Sequence, residues 1–178
     1  VEASAGKESH FSDTDYSEAG AQIVHEREKI FQSEIIFKVA PPSLEEVKMM
    51  SGNQFLFSAL QMTLQPKESL EVLMKKKVTA IAWDYIKDSE DIYPVVRAMG
   101  EIAGNTSVLI ASGYLSNANN GQGLMFGGIS EVHPTEVVII GAGTVGAYAS
   151  KAALGMGCSV KIFDNSLFKL RRLQNDVG

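Results

Sequence analysis

The chain has 178 residues, of which 45% are hydrophobic and 21% are charged, and its formal net charge is −5. This length accommodates one ordinary domain or two small ones. The negative charge argues against nucleic-acid binding, which requires clustered lysine and arginine. The single cysteine, Cys158, excludes an internal disulfide framework and a multi-cysteine metal site, so we expect no metal. Such sparing use of cysteine fits a reducing cytoplasm, which is the location we expect.

The first part of the chain predicts strands that alternate with helices. Compact apolar runs predict strands at 34–39, 54–60 and 78–83. Ser43 and Glu46 form a capping-box pattern that opens a short helix, and an amphipathic helix is expected at 66–77. A long helix is expected at 95–118. This alternation predicts an α/β domain with a parallel sheet over residues 1–118.

An Asn- and Gly-rich stretch follows, and we expect a linker at 119–133. From residue 134 to 178 the pattern is strand (137–140), helix (144–156), strand (159–163) and a final helical stretch.

Residues 137–160 carry one charge, Lys151, and are long enough to span a bilayer. Glycines interrupt this stretch and its periodicity changes, so we interpret it as the buried centre of a sheet and expect no membrane insertion.

Residues 141–146, Gly-Ala-Gly-Thr-Val-Gly, match the G-x-G-x-x-G pattern directly after an apolar strand and before a helix. Gly141 allows a tight turn, Gly143 lets a pyrophosphate approach the helix N-terminus, and Gly146 allows close packing of helix on strand. Asp164 ends the next strand, where an acidic side chain hydrogen-bonds the adenosine ribose. The candidate cofactor-binding residues are therefore Gly141, Ala142, Gly143, Thr144, Val145, Gly146, Asp164 and Asn165.

Asp164 favours NAD over NADP because its carboxylate would repel a 2′-phosphate. Arg171 and Arg172 follow closely and could neutralise such a phosphate, which leaves NADP as an alternative. A strand–turn–helix with packing glycines and a surface aspartate, without any cofactor, is the remaining alternative for this segment.

These motifs resemble the alanine dehydrogenase and proton-translocating transhydrogenase α-subunit family. The similarity is carried by residues 134–146, 152–157 and 164–173, and upstream by 33–39, 78–82 and 101–104. The segment 164–173 is closest to the dehydrogenase branch. The resemblance implies two parallel-sheet α/β domains, the second a partial Rossmann-type NAD-binding domain, with the cofactor in the cleft between them. It also implies oxidation of L-alanine by NAD to pyruvate and ammonium, a small-molecule amino-acid or 2-oxo-acid ligand, and a homo-oligomer.

By this resemblance, Lys38 corresponds to the family lysine that contacts the substrate. An ammonium at the end of a parallel strand can neutralise a carboxylate, although a lysine there can also be plain solvated surface. The acid–base histidine of the family falls on Gln61, which cannot exchange a proton near neutral pH. A family arginine is likewise replaced, by Asn105.

Two functions therefore stay open. One is an NAD-dependent amino-acid dehydrogenase of the alanine type, and the other is a transhydrogenase-like or diverged NAD(H)-binding module without its own substrate chemistry. Family members begin before the position of Val1 and continue past that of Gly178, so we expect the chain to be part of a longer protein.

Overall fold

A computed structural model of the chain describes residues 1–177 and has α/β architecture, as predicted. Its strands are β1 (Ile35–Phe37), β2 (Phe55–Ser58), β3 (Thr79–Ala82), β4 (Glu136–Ile140) and β5 (Ser159–Phe163). Its α-helices are α1 (Asp13–Glu18), α2 (Arg27–Phe31), α3 (Leu44–Met49), α4 (Lys67–Lys75), α5 (Pro94–Leu115), α6 (Thr144–Gly155) and α7 (Leu167–Val177). Contacts within the chain group these elements into two compact units, Val1–Ile86 and Lys87–Gly178.

The first unit is built on a parallel sheet of three strands in the order β1-β2-β3. Ile36 pairs with Leu56, which in turn pairs with Ala80. The parallel arrangement confirms the prediction from the strand–helix alternation. Between the first two strands, α3 begins with the predicted capping box, in which Ser43 and Glu46 bond each other's backbone N–H groups. The core of this unit consists of Phe31, Ile36, Val47, Met50, Leu56, Leu60 and Leu73.

The second unit contains a parallel βαβ unit of β4, α6 and β5, in which Val138 pairs with Lys161. This is the predicted partial Rossmann-type arrangement. The long helix α5 packs against α6 so closely that a Cβ on Gly104 would lie 2.4 Å from the carbonyl oxygen of Val145. Glycine at 104 is therefore what lets the two helices approach. The core of this unit consists of Val108, Phe126, Ala149, Ala153 and Cys158.

The packing of α5 on α6 places the division between the units at a different point from the predicted domain boundary. The predicted first domain ends at residue 118, after the long helix, whereas the contacts divide the chain between Ile86 and Lys87. The difference arises because α5 makes its contacts with α6 through Gly104. The predicted limits 1–118, 119–133 and 134–178 remain a prediction about the domains of the protein.

Candidate functional site

The glycine loop leaves β4 through a turn that only glycine adopts freely. Gly141 has φ of +108°, in the region that disfavours residues with a Cβ. Its N–H donates a hydrogen bond to the carbonyl oxygen of Phe163 at 2.7 Å, so the loop begins as a continuation of the β4–β5 pairing. A Cβ on Gly141 would meet nothing within 4 Å. The requirement for glycine at 141 is therefore one of backbone conformation.

At Gly146 glycine is required for a different reason, because there is no room for a side chain. A Cβ on this residue would lie 1.9 Å from the carbonyl oxygen of Gly141 and 3.0 Å from its carbonyl carbon. Both neighbours are backbone atoms, so no side-chain rotation could relieve the clash. One turn further on, the Ser150 hydroxyl donates to the Gly146 carbonyl oxygen at 2.6 Å. The start of α6 is thus packed directly onto the loop.

Gly143 precedes α6 and leaves open space in front of the helix. No side chain caps the helix at this residue, so the first-turn N–H groups of Thr144 and Val145 have no side-chain acceptor among residues 1–177. A Cβ on Gly143 would meet nothing within 4 Å. Uncapped N–H groups at the positive end of a helix dipole are what a phosphate oxygen bonds. These residues therefore fit the pyrophosphate of a dinucleotide.

Asp164 is brought to the same loop. Its carboxylate oxygens accept hydrogen bonds from the N–H groups of Ala142 and Ser166, each at 2.7 Å. The N–H of Ala142, and next that of Ser166, hold the pKa of the Asp164 carboxyl below its usual range. The neighbouring Asn165 is exposed. The acidic residue expected to meet a ribose is thus also the residue that ties the end of β5 to the glycine loop.

This carboxylate predicts a local acid transition. Because the folded-state pKa of Asp164 is lowered, its two hydrogen bonds stabilise the loop fully above the ordinary carboxyl pKa and are lost as the pH falls through the lowered value. We expect the amide proton resonances of Ala142 and Ser166 to titrate together below pH 3.8 in NMR spectra. In Asp164→Asn this shared transition should disappear. A transition of Ala142 that persists in this variant would contradict the assignment.

A cavity of about 980 Å³ surrounds the start of α6 within the second unit. Its lining includes Gly143 and Thr144 from the loop and Arg97 from α5. Arg97 Nε lies 3.1 Å from Glu101 Oε1, and the Glu101 carboxylate raises the pKa of the Tyr148 hydroxyl on α6. These polar residues were not predicted from the sequence, because nothing in the pattern of α5 shows that the helix flanks the glycine loop.

In the first unit, Lys38 directly follows β1, at the carboxyl edge of the parallel sheet. Its backbone N–H donates to the Phe57 carbonyl oxygen at 2.9 Å, which continues the strand pairing. Its ammonium Nζ lies 3.3 Å from Glu46 Oε1, and the side chain is 24% exposed. Lys38 is therefore a partly buried, ion-paired lysine and not a freely solvated one.

Gln61 follows β2 at the same edge, in a left-handed backbone conformation with φ of +44°. The carboxylate of Asp84 accepts hydrogen bonds from the N–H groups of Leu60 and Gln61, at 3.1 and 3.2 Å. The side chain of Gln61 is exposed. Sequence reasoning missed Asp84, although its place just after β3 could have suggested it, because carboxyl ends of parallel strands meet at one edge.

Two further properties concern residues 1–177 as a whole. None of the helices that they form is long and apolar enough to cross a bilayer. No three or more of their histidine, cysteine, aspartate and glutamate side chains are grouped so that they could hold a metal ion.

Family models match both parts of the chain. Residues 1–103 match the N-terminal domain of alanine dehydrogenase/PNT, and residues 107–178 match the C-terminal domain of the same family. The chain is 35% identical to the alanine dehydrogenases of Mycolicibacterium smegmatis and Methanococcus maripaludis, over 100% of its own length and 48% of theirs. It thus spans about half the length of the curated relatives it matches.

Solved structures of the same family superimpose on the chain. An L-alanine dehydrogenase superimposes with a TM-score of 0.89 at 35% identity, covering 100% of this chain and 49% of that one. A transhydrogenase from Sinorhizobium meliloti superimposes with a TM-score of 0.82 at 20% identity, covering 98% and 52%, which shows a shared fold. The family models, the relatives and the glycine-loop geometry agree, and the chain belongs to the alanine dehydrogenase/PNT family.

Proposed function

We propose that this chain is part of an NAD-dependent amino-acid dehydrogenase of the alanine type, which converts L-alanine, NAD and water into pyruvate, ammonium and NADH. The observation that carries the proposal is the uncapped start of α6, with open space over Gly143 and Asp164 tied to the loop beside it. The similarity to alanine dehydrogenases along the whole chain supports the reaction.

In this proposal, the glycine loop holds the cofactor by its two polar parts. The N–H groups of Thr144 and Val145 bond the pyrophosphate, and Gly141, Ala142 and Gly146 shape the loop around it. Asp164 has lone pairs left on both oxygens after bonding Ala142 and Ser166, so it can also accept hydrogen bonds from ribose hydroxyls. Asn165 is exposed directly after Asp164, and in this proposal its amide would hydrogen-bond the same sugar.

The nicotinamide of bound NAD supplies the hydride acceptor for the substrate Cα. Lys38 contributes a positive charge at the carboxyl edge of the first sheet, where it binds the substrate carboxylate. Its pairing with Glu46 supports this role, because a held ammonium presents its charge in one place. Gln61 contributes hydrogen bonds at the same edge but no proton exchange.

The chemistry of Gln61 favours a second candidate function, an NAD(H)-binding module of transhydrogenase-like or diverged type. The replacement of a proton-exchanging histidine by an amide removes an acid–base group that the alanine reaction uses in the family. Self-association is part of both proposals, and it is supported by large exposed apolar side chains along α5, among them Met99, Ile102 and Leu109.

The test is a fluorescence titration of the full-length protein with NADH and with NADPH, in the presence and absence of pyruvate and ammonium. We expect NADH to bind more tightly than NADPH, because the Asp164 carboxylate would repel a 2′-phosphate. Consumption of NADH with pyruvate and ammonium would support the dehydrogenase. Tight NADH binding without turnover would support the binding module, and the absence of binding would refute both.

A further inference from the structure

Helix α5 runs along α6 towards the glycine loop. A Cβ on Gly104 would contact residues 145–149 of α6, whereas a Cβ on Gly100 would lie 3.4 Å from Thr144 Cγ2, at the first residue of that helix. One turn of α5 therefore moves the contact towards the uncapped end of α6. Arg97 lies one turn further back on the same face of α5, since residues three or four apart share a helix face. The packing of the two helices thus brings Arg97 to the end of α6 that faces the open cavity.

The side chains that line this cavity carry more positive than negative charge. Arg97, Lys151 and Arg172 contribute three cations, and Asp176 contributes the one carboxylate among the described lining residues. The chain as a whole has a net charge of −5, so this local excess is opposite to the overall charge. A cationic cavity that also contains an uncapped helix start favours an anionic ligand.

Arg97 is the cation that remains available for such a ligand. Its Nε lies 3.1 Å from Glu101 Oε1, and its other N–H groups have no hydrogen-bond partner among residues 1–177. The Glu101 carboxylate also accepts a hydrogen bond from the Tyr148 hydroxyl on α6, which raises the pKa of that hydroxyl. Lys151 is engaged elsewhere, because its Nζ lies 5.3 Å from the centroid of the Tyr148 ring. Arg172 comes from α7, which follows β5 and not the glycine loop.

An ordinary surface ion pair does not account for this arrangement. The Arg97 side chain is 56% exposed, and an exposed pair four residues apart on a helix contributes little to stability. Glu101 holds only the Nε side of the guanidinium and is itself tied to α6 through Tyr148. The two terminal nitrogens therefore remain as donors on a side chain whose orientation is fixed relative to α6.

We propose that the Arg97 guanidinium binds the pyrophosphate of the dinucleotide, together with the first N–H groups of α6. A guanidinium is planar and presents paired N–H donors that match two oxygens of a phosphate. Its charge would offset the charge of the pyrophosphate, which the helix start alone offsets only in part. This inference rests on the proposed function, because it takes the glycine loop as the cofactor site.

The first test is chemical modification of the wild-type full-length protein. p-Hydroxyphenylglyoxal modifies exposed arginine side chains, and mass spectrometry of the peptides gives the rate at Arg97. We expect NADH and inorganic pyrophosphate, each at about ten times its dissociation constant, to slow this modification about tenfold. Adenosine, which carries no phosphate, should leave the rate unchanged. Arg27 of the first unit is the internal control, because it is also ion-paired through Nε and is 52% exposed.

The second test compares variants by NADH titration. Arg97→Met should weaken NADH binding about 10-fold, as expected for the loss of a hydrogen bond to a charged group, and should leave adenosine binding unchanged. Arg97→Lys should lie between Arg97→Met and the wild type, because it keeps the charge but not the paired donors. The matched control is Lys87→Met, which removes an exposed pair of the same spacing, Lys87 with Asp91 at 2.6 Å, away from the cavity lining. It should bind NADH like the wild type, and all three variants should keep the unfolding midpoint of the wild type.

Each failure has its own signature. An Arg97→Met protein that binds NADH as tightly as the wild type would overturn the inference and leave the proposed function standing. Equal losses of affinity for NADH and for adenosine would also overturn it, since Arg97 would then only support the fold. Protection of Arg97 by NADH but not by pyrophosphate would refute the contact with the phosphates. A wild-type protein that binds no NADH would refute the proposed function, and this inference with it.

Discussion

Gly146→Ala is expected to abolish dinucleotide binding and to destabilise the second unit by about 3 kcal/mol, the upper end of typical overpacking costs. The added methyl group would lie 1.9 Å from the Gly141 carbonyl oxygen, so either the loop or the start of α6 must move. Movement of either one displaces the N–H groups that we propose bind the phosphate. Urea unfolding followed by circular dichroism, together with NADH titration of the same preparation, measures both effects.

The control for Gly146→Ala lies in the same helix. A Cβ on Gly155, at the end of α6, would meet nothing within 4 Å, and this residue has no positive φ. Gly155→Ala should therefore bind NADH like the wild type and gain up to about 1 kcal/mol of stability, as helical glycine-to-alanine changes do. A Gly146→Ala protein with the unfolding midpoint of the wild type would show that the close approach to Gly141 is not required.

Gly143→Ala is expected to weaken the binding of NADH while leaving the stability of the fold almost unchanged. The backbone of Gly143 has φ of −80°, which alanine adopts without strain, and the added Cβ would meet no protein atom within 4 Å. Stability should fall by less than about 1 kcal/mol, the size of an N-cap effect. Affinity for NADH should fall about 100-fold, or about 3 kcal/mol, because the methyl group would occupy the space that the pyrophosphate requires.

The measurement for Gly143→Ala is the dissociation constant for NADH at constant ionic strength, with an unfolding curve on the same sample. Adenosine, which has a ribose but no phosphate, provides an internal control, since its weaker binding should be the same in the variant and the wild type. An unchanged NADH dissociation constant would mean that the phosphates do not lie over residue 143.

The sequence predicted the elements whose patterns are local. β5 was predicted with the bounds that the structure has, and α3 begins with the predicted capping box. α2 was not predicted, because Arg27–Phe31 is one short polar turn whose apolar anchor, Phe31, is recognised only from its burial in the core of the first unit. Short elements of this kind are formed by tertiary packing and not by propensity.

In the candidate site, too, the sequence predicted local patterns but not contacts between distant segments. The glycine loop and Asp164 were found because their spacing follows a fixed strand–turn–helix geometry. The contacts that define the other polar groups join distant segments, such as Asp84 with Leu60 and Glu46 with Lys38. Neither pair has a characteristic spacing, so the sequence showed the capping role of Glu46 but not its contact with Lys38.

The bond between Asp164 and Ala142 has a consequence for attempts to redesign cofactor preference. A usual route from NAD to NADP replaces the acidic residue at the end of the second strand with a small or neutral one, so that a 2′-phosphate fits. Here the same exchange would leave the Ala142 N–H without its acceptor, and the glycine loop would then be tied to the end of β5 by the bond from the Gly141 N–H to the Phe163 carbonyl oxygen without the support of the Asp164 carboxylate. If Asp164 meets the ribose as proposed, cofactor preference and the anchoring of the glycine loop depend on one side chain, and a redesign would have to restore an acceptor for the Ala142 N–H before the protein could accept a different dinucleotide.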